Sequence, residues 1–258
     1  MGFIRQSWAI FTLRYLRELR RQPAVIFMTL LQPIIWLLLF GTLFSKVSQI
    51  PGFGGGSYIT YLTPGVVIMT AMFGSSWTGM SYIEDMQTGV MDRFLTAPLG
   101  RGALTAAMLA YQAVTTVVQS LIIVAIGWGM GARFPGGAAG VAALLGVSVL
   151  IALAMAGLSD GFALLTRQRE ALIGASTTLV LPLTFLSGAF LSLSLVPGWI
   201  AGIARFNPVN WAASAARIAV GAQAAWGTVA SYAAFLAVAV AITAVAATRA
   251  FRAYQRSL

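Results

Sequence analysis

Long apolar stretches alternate with short polar ones along the chain. Six windows of about 20 mostly apolar residues lie between clusters of charge, glycine or proline, over residues 24–44, 61–83, 106–128, 139–162, 171–191 and 229–248. A helix of that length can cross the hydrocarbon core of a bilayer. The pattern predicts an all-α integral membrane protein with six transmembrane helices in a single domain over residues 1–258.

The segment before the first window has a helical period of its own. One stripe of it is apolar and the rest is rich in arginine, with the apolar stripe formed by Ile4, Trp8, Phe11, Tyr15 and Leu19. We expect residues 1–22 to form an interfacial amphipathic helix that Pro23 ends. A long apolar window without a small-residue cleavage pattern after it argues against a cleaved signal peptide.

Composition supports the membrane class and orients the chain. The sequence is 59% hydrophobic and 9% charged, with a mean hydropathy of +0.86, whereas soluble domains are about 45–50% apolar and about 25% charged. If the six windows cross the bilayer in turn, 12 of the 16 basic residues share one side with residues 1–22. By the positive-inside rule both termini are then cytoplasmic, although a miscounted window would invert this topology. The rule also explains the net charge of +10 without a nucleic-acid partner.

Residues 192–227 form the long segment between the fifth and sixth windows. Two stretches in it, 196–204 and 208–220, have a helical pattern but are too short to cross a bilayer. Asn207 is a suitable N-cap, with Pro208 in the first helical position. We predict an external loop with two short interfacial or re-entrant helices before the last span.

The lack of several reactive side chains in the sequence excludes most enzyme classes. The sequence has no histidine and no cysteine, which removes His- and Cys-based nucleophiles and metal sites. It also lacks the G-x-x-x-x-G-K-[ST] motif of phosphate-binding loops. Asp160 falls within an apolar window, where an acid is a functional candidate, although a snorkelling or locally paired Asp160 is the simpler interpretation. We predict a protein that is no enzyme and binds no cofactor or metal of its own.

A cluster of charged residues separates the second and third windows. Residues 82–101 (YIEDMQTGVMDRFLTAPLGR) contain five of the 22 charged residues. Glu84 and Asp85 begin this segment and Gly89 breaks it. An acid, an apolar patch and a closing proline follow, at Asp92, at Met91, Phe94 and Leu95, and at Pro98. Such an amphipathic segment either docks in a groove of another protein or lies flat on lipid.

Four segments in matching order resemble the membrane subunits of ABC-2 type exporters, especially the daunorubicin-resistance and nodulation-factor export permeases. They are residues 20–44 (RRQPAVIFMTLLQPIIWLLLFGTLF), 61–67 (YLTPGVV), 82–101 and 206–217 (FNPVNWAASAAR). Each alone is a weak signal, but the ordered set extends across most of the chain.

The resemblance implies a transporter of the bacterial plasma membrane in which this chain spans the bilayer and a separate subunit hydrolyses ATP. The loop over residues 84–101 would hold a coupling helix that inserts into a cleft of a separate ATPase, and that ATPase would bind ATP and Mg. The implied coupling residues are Glu84, Asp85, Gly89, Met91, Asp92, Phe94, Leu95 and Pro98. Met86, Gln87 and Val90 depart from the family's loop motif, which leaves individual salt bridges to the ATPase undefined. Two permease chains, as a homodimer or a pair, would enclose the substrate route.

The resemblance also implies export of an amphipathic drug, antibiotic or lipid-like metabolite. Five large side chains are candidates for lining its path, with core packing as the simpler explanation: Trp36, Met69, Met72, Phe73 and Trp77. Export of a polysaccharide or teichoic acid is the nearest alternative, and the lack of a strong aromatic ladder disfavours it. The alternatives from other classes are a secondary carrier or channel, which would transport without ATP, and a membrane-embedded enzyme, which would need a catalytic dyad.

Overall fold

The structure is a computed structural model that describes residues 23–46, 57–91, 103–190, 193 and 196–256. Within these residues the chain is all-helical and has no β-strand. The helices are α1 (Pro23–Leu43), α2 (Tyr58–Ser75), α3 (Gly79–Gln87), α4 (Ala103–Gly129), α5 (Gly137–Thr166), α6 (Arg169–Phe185), α7 (Gly198–Ala204), α8 (Pro208–Val220) and α9 (Trp226–Arg256). The predicted interfacial helix over residues 1–22 lies outside the described residues.

Four helical stretches have the length and composition of a membrane span: Tyr58–Gln87, Met108–Gly129, Gly137–Thr166 and Trp226–Arg256. They correspond to the second, third, fourth and sixth predicted windows. The first window corresponds to α1, in which the apolar stretch Met28–Leu43 is shorter. The fifth corresponds to α6, which has 17 residues. At about 1.5 Å per residue, α6 is shorter than a hydrocarbon core of about 30 Å, so six complete spans remain a prediction.

The second predicted window is not one continuous helix. Between the end of α2 at Ser75 and the start of α3 at Gly79, the chain makes three turn residues, which we call the helix break (residues 76–78). The hydroxyls of Ser75 and Ser76 donate to carbonyls of the preceding turn at 2.6 and 2.7 Å. Side-chain bonds of this kind bend helices because they compete with the regular backbone pattern.

The central helix of the fold is α5, which packs along α9 and also contacts α2, α3, α4 and α8. Small residues permit the close approach to α9. A Cβ on Gly157 would lie 2.9 Å from the Thr243 hydroxyl, and one on Gly161 would lie 3.4 Å from Ala247. Contacts between small residues are typical of helix packing in membranes, where backbones approach closely.

Loop contacts define two ends of this bundle. The Arg133 N–H donates to Thr60 Oγ1 at 3.0 Å, and the Gly136 N–H donates to Val220 O at 3.0 Å. The α4–α5 turn, the start of α2 and the end of α8 therefore lie together at what we call the outer end. At the opposite, inner end, the end of α3 meets the ends of α5 and α9.

The predicted external segment contains two short helices, observed as α7 and α8. Asn207 caps α8 as predicted, because its side-chain Oδ1 accepts a hydrogen bond from the Val209 N–H at 2.9 Å. The position of these helices relative to the bilayer remains a prediction.

Candidate functional site

The inner end of α3 carries the first residues of the predicted coupling segment. Glu84 is exposed and Asp85 is half-buried. The helix ends at Gln87, after which the N–H and the hydroxyl of Thr88 both donate to Glu84 O, at 2.9 and 2.8 Å. Gly89 follows with a φ of 68°, a left-handed conformation that favours glycine, so the predicted break at Gly89 is confirmed. The other coupling candidates, Asp92, Phe94, Leu95 and Pro98, lie outside the described residues.

An apolar cluster holds this turn against the ends of three other helices. Met91 is fully buried among side chains of α3, α4, α5 and α9, and we call the set the inner cluster: Tyr82, Met91, Met108, Leu164, Ala250, Phe251 and Tyr254. The Met91 side chain is enclosed by the chain's own helices in this structure, and a role for Met91 in coupling stays a prediction. The exposed side chains of this turn are polar, namely Glu84, Gln87 and Thr88.

Serine hydroxyls from two other helices hold the helix break. Ser159 of α5 and Ser176 of α6 both donate to Ser76 O, at 2.8 and 2.9 Å. The Ser159 Oγ also accepts from the Gly79 N–H at 3.1 Å. A Cβ on Gly79 would lie 2.5 Å from Ser159 O, so glycine is what permits α3 to approach α5 this closely. Backbone groups that the break leaves unpaired are satisfied inside the protein, as a lipid environment requires.

Asp160 lies beside the same break. It is 1% exposed, its Oδ1 has no hydrogen-bond partner, and its carboxyl lies against Thr78. Of the two simpler interpretations, snorkelling does not fit, since the central position of α5 encloses the Asp160 side chain, whereas local pairing fits its hydrogen bond with Thr78.

The five residues predicted to line a substrate path fall in separate places. Met72 is fully buried in the core, and a place for it along the substrate path stays a prediction. Trp77 is 37% exposed at the helix break. Met69 and Phe73 line a cavity between helices, and Trp36 belongs to a group of aromatic rings.

The cavity has a volume of about 40 Å³ and lies between α1, α2 and α4. Its polar side chains are Thr29, Gln32, Thr70 and Gln119. The Gln119 Nε2 donates to Thr29 Oγ1 at 3.2 Å, which links α4 to α1. Because Gln32 is exposed, the cavity reaches the surface of α1. We call it the amide cavity.

Aromatic rings from two parts of the chain meet near the outer end. We call Trp36 and Phe40 of α1, Phe185 of α6 and the following Phe190 the aromatic group, in which neighbouring ring centroids are 5.2–6.5 Å apart. Offset and edge-on contacts at these distances are favourable. Rings that are far apart in sequence thus come together here, although the sequence shows no strong aromatic ladder.

Polar side chains hold the backbone of residues 186–190 behind the aromatic group. The Arg217 guanidinium of α8 donates to Gly188 O at 2.6 Å, to Ala189 O at 2.5 Å and to Tyr61 O at 3.1 Å. It also lies 3.7 Å from the centroid of the Tyr61 ring, within the range of a cation–π contact. The Tyr61 hydroxyl donates to Gly188 O at 2.9 Å. We call this arrangement the outer clamp.

Two asparagines complete the outer clamp. The Asn207 Nδ2 donates to Leu183 O and Leu186 O at 2.7 and 3.0 Å, and the Asn210 Oδ1 accepts from the Gly188 N–H at 3.1 Å. Sequence reasoning assigned Asn207 only a capping role and gave Arg217 no structural role. The available signal was a cation within an apolar helical stretch, which needs an internal partner if it is not exposed.

The sequence is similar to a family model described as ABC-2 type transporter, which matches residues 6–220. A transport permease of Cyanophora paradoxa is 29% identical over 210 residues, which cover 81% of this chain and 72% of that protein. The daunorubicin resistance ABC transporter permease of Streptomyces coeruleorubidus is 28% identical over 206 residues, covering 79% of this chain and 71% of that protein. The inner membrane transport permease YadH of Escherichia coli is 24% identical over 218 residues, covering 81% of this chain and 82% of that protein.

Proposed function

The chain belongs to the ABC-2 type transporter family, and from that premise we propose that it is the permease subunit of an ATP-driven exporter that moves an amphipathic small molecule out of the cytoplasm. Family membership makes it a multi-pass transmembrane permease of the cell membrane and not itself a catalyst. The proposal adds the direction of transport, the class of cargo and the energy source.

Charge at the two ends supports the orientation of the chain in the membrane. The inner end carries Arg167, Arg169, Arg249, Arg252 and Arg256, on or next to the helix ends that form the inner cluster. At the outer end, Arg133 is exposed and the Arg217 charge is engaged by backbone carbonyls. An excess of exposed arginine at one end is typical of the cytoplasmic side, so the inner end faces the cytoplasm in this proposal.

The observation that carries the proposal is that α2, the helix break and α3 together form one candidate span, Tyr58–Gln87. The turn at Gly89 and the exposed Glu84 lie at the inner end of this span, the helix break interrupts it, and Met69 and Phe73 line the amide cavity further along it. An ATPase that binds the 84–91 turn would therefore act on the walls of the cavity through one element. Coupling requires only that the ATPase favours one position of α3 over another.

The full transporter in this proposal contains two permease chains, identical or paired, and two ATPase subunits that bind ATP and Mg. The family supports an ATPase partner. The exposed apolar side chains of α1, which include Leu31, Ile35 and Leu38, suit contact with lipid or with a second permease.

The aromatic group favours a second cargo class, a sugar-bearing polymer or lipid of the polysaccharide or teichoic-acid kind. Four partly exposed rings, on α1, at the end of α6 and on the clamped turn after it, present flat apolar faces, and such faces bind rings of several chemistries. A transport assay should therefore compare an amphipathic aromatic amine with a lipid-linked oligosaccharide.

Transport in inside-out vesicles tests the proposed function. Vesicles with the permease and its ATPase should accumulate daunorubicin when ATP is added, and vesicles that lack either subunit should not. Accumulation that persists without the ATPase would instead indicate a secondary carrier or channel. ATP-driven uptake of the oligosaccharide alone would favour the second cargo class.

Substitution of Gly89 tests the coupling role of the turn. Gly89→Ala places a side chain at a φ of 68°, which costs roughly 1–2 kcal/mol, while its Cβ meets nothing within 4 Å. We expect normal membrane insertion with a several-fold loss of ATP-driven uptake. Gly129→Ala is the matched control, because its Cβ also meets nothing within 4 Å and its φ is not positive. Equal uptake by both variants would contradict the coupling role.

A further inference from the structure

The amide cavity contains a buried acceptor that this chain does not use. Gln119 is 5% exposed, its Nε2 donates to Thr29, and its Oε1 has no hydrogen-bond partner. The Oε1 lies beside the cavity wall at Gly74, where a Cβ would be 3.6 Å away. Buried carbonyl oxygens nearly always have a partner, so an unpaired one needs an explanation.

Ordinary helix packing does not require this arrangement. Gln112 lies on the same helix two turns earlier and is also 5% exposed, yet its Nε2 donates within α4, to Thr116 Oγ1 at 3.3 Å. Gln119 instead reaches across to α1 and borders a cavity. The Thr70 hydroxyl in the cavity wall is already engaged, since it donates to Val66 O at 2.8 Å.

We propose that the amide cavity is a binding subsite for the cargo, in which the Gln119 Oε1 accepts a hydrogen bond from a hydroxyl or protonated amine. Met69 and Phe73 contact the apolar part next to that donor, and the exposed Gln32 stands where the cavity opens on α1. A volume of about 40 Å³ admits a donor group rather than a whole molecule. The site therefore selects a polar feature of the cargo, and this inference rests on the proposed transport of amphipathic molecules.

Selection at this subsite follows from the cost of leaving a buried acceptor unpaired. A cargo with a donor at the right place satisfies the Gln119 oxygen, whereas an apolar cargo of the same shape leaves it unpaired. Phe73 adds an aromatic face that attracts a cationic donor more than a neutral one. Molecules with an amine or hydroxyl beside a flat apolar body are thus preferred over purely apolar ones.

Equilibrium binding to the complete complex tests the subsite. The permease and its ATPase are placed in lipid nanodiscs and titrated with daunorubicin, a fluorescent aromatic compound with hydroxyl and amine donors, and separately with pyrene, which has none. Gln119→Leu should weaken daunorubicin binding by about tenfold or more and should not weaken pyrene binding. Gln112→Leu, the matched control on the same helix, should change neither by more than about twofold.

A second variant blocks the cavity and leaves Gln119 in place. Gly74→Val extends from a Cβ position 3.6 Å from the Oε1 and fills the space that the donor would occupy, while the Gln119–Thr29 bond remains. It should weaken daunorubicin binding as Gln119→Leu does. Gly146→Val is its control, because a Cβ there meets nothing within 4 Å.

The possible results distinguish failure of the proposed subsite from failure of the proposed exporter function. Wild-type affinity for daunorubicin in both Gln119→Leu and Gly74→Val overturns the subsite, and a lowered melting temperature with unchanged affinity assigns the cavity to a structural water instead. Absence of daunorubicin binding by the wild-type complex overturns the ligand class. If the wild type binds daunorubicin through Gln119 but ATP drives no uptake, the subsite stands and the proposed exporter function fails.

Discussion

The two ends of the bundle are held by opposite kinds of interaction. At the outer end, Arg217 and Tyr61 direct hydrogen bonds to the carbonyls of residues 188 and 189. At the inner end, Met91 packs among apolar side chains such as Phe251. Hydrogen bonds weaken steeply when their angles and distances change, whereas methionine adapts to irregular surroundings. The outer end is therefore suited to stay fixed, and the inner end to shift while it remains packed.

Removal of the outer clamp tests whether the outer end is fixed, and it should have the largest effect on stability. Arg217→Met preserves most of the apolar stem but removes the three guanidinium bonds to Gly188 O, Ala189 O and Tyr61 O, while Gly188 O keeps the bond from the Tyr61 hydroxyl. Hydrogen bonds from a charged group contribute about 1.5–3 kcal/mol each, so we expect the free energy of unfolding to fall by about 3 kcal/mol or more. Thermal unfolding in detergent measures it.

The control for this variant lies just before α8. Arg205 is exposed, and Arg205→Met should change the unfolding temperature little, since isolated surface charges contribute roughly 0.5 kcal/mol or less. Arg217→Lys retains the charge without the planar fork, so it should fall between the wild type and Arg217→Met. Equal stability of Arg217→Met and Arg205→Met would mean that the outer clamp does not hold the outer end rigid.

A larger residue at the contact between α3 and α5 tests the adaptable end. Gly79→Ala brings a Cβ to 2.5 Å from Ser159 O and 2.7 Å from the Ala163 Cβ, so α3 must move away from α5. Overpacking of this kind typically lowers the free energy of unfolding by about 1–3 kcal/mol. If the inner end adapts, this loss should be smaller than the loss caused by removal of the outer clamp.

The matched control is Gly146→Ala on α5, where a Cβ meets nothing within 4 Å and alanine favours the helix by about 1 kcal/mol. Thermal unfolding and ATP-driven uptake are measured together. If the inner end adapts, Gly79→Ala should reduce uptake more than it reduces stability. A fall in stability as large as that of Arg217→Met would show that both ends are equally rigid.

Sequence periodicity predicted the helices better than it predicted their contacts. The windows located all the long helices, and turn chemistry located Gly89 and the Asn207 cap, because these signals depend on neighbours in the chain. The helix break, the outer clamp and the aromatic group depend on partners far away in sequence, such as Ser76 with Ser176. An apolar pattern does not distinguish lipid-facing from buried positions, so the burial of Met72 and Met91 could not be predicted from it.

Loss of a single serine hydroxyl at the helix break should have the smallest effect on stability of the variants compared. Ser159→Ala removes two hydrogen bonds at the helix break, to Ser76 O and from the Gly79 N–H, whereas Ser176→Ala removes one. With about 1 kcal/mol per bond, Ser159→Ala should be the more destabilising by about that amount. Hydrogen exchange of the Gly79 amide should rise in Ser159→Ala and stay near wild type in Ser176→Ala, because only Ser159 covers it. A rise in both variants would mean that the two hydroxyls hold the break as one unit, so that α3 opens together with α6 rather than separately from α5.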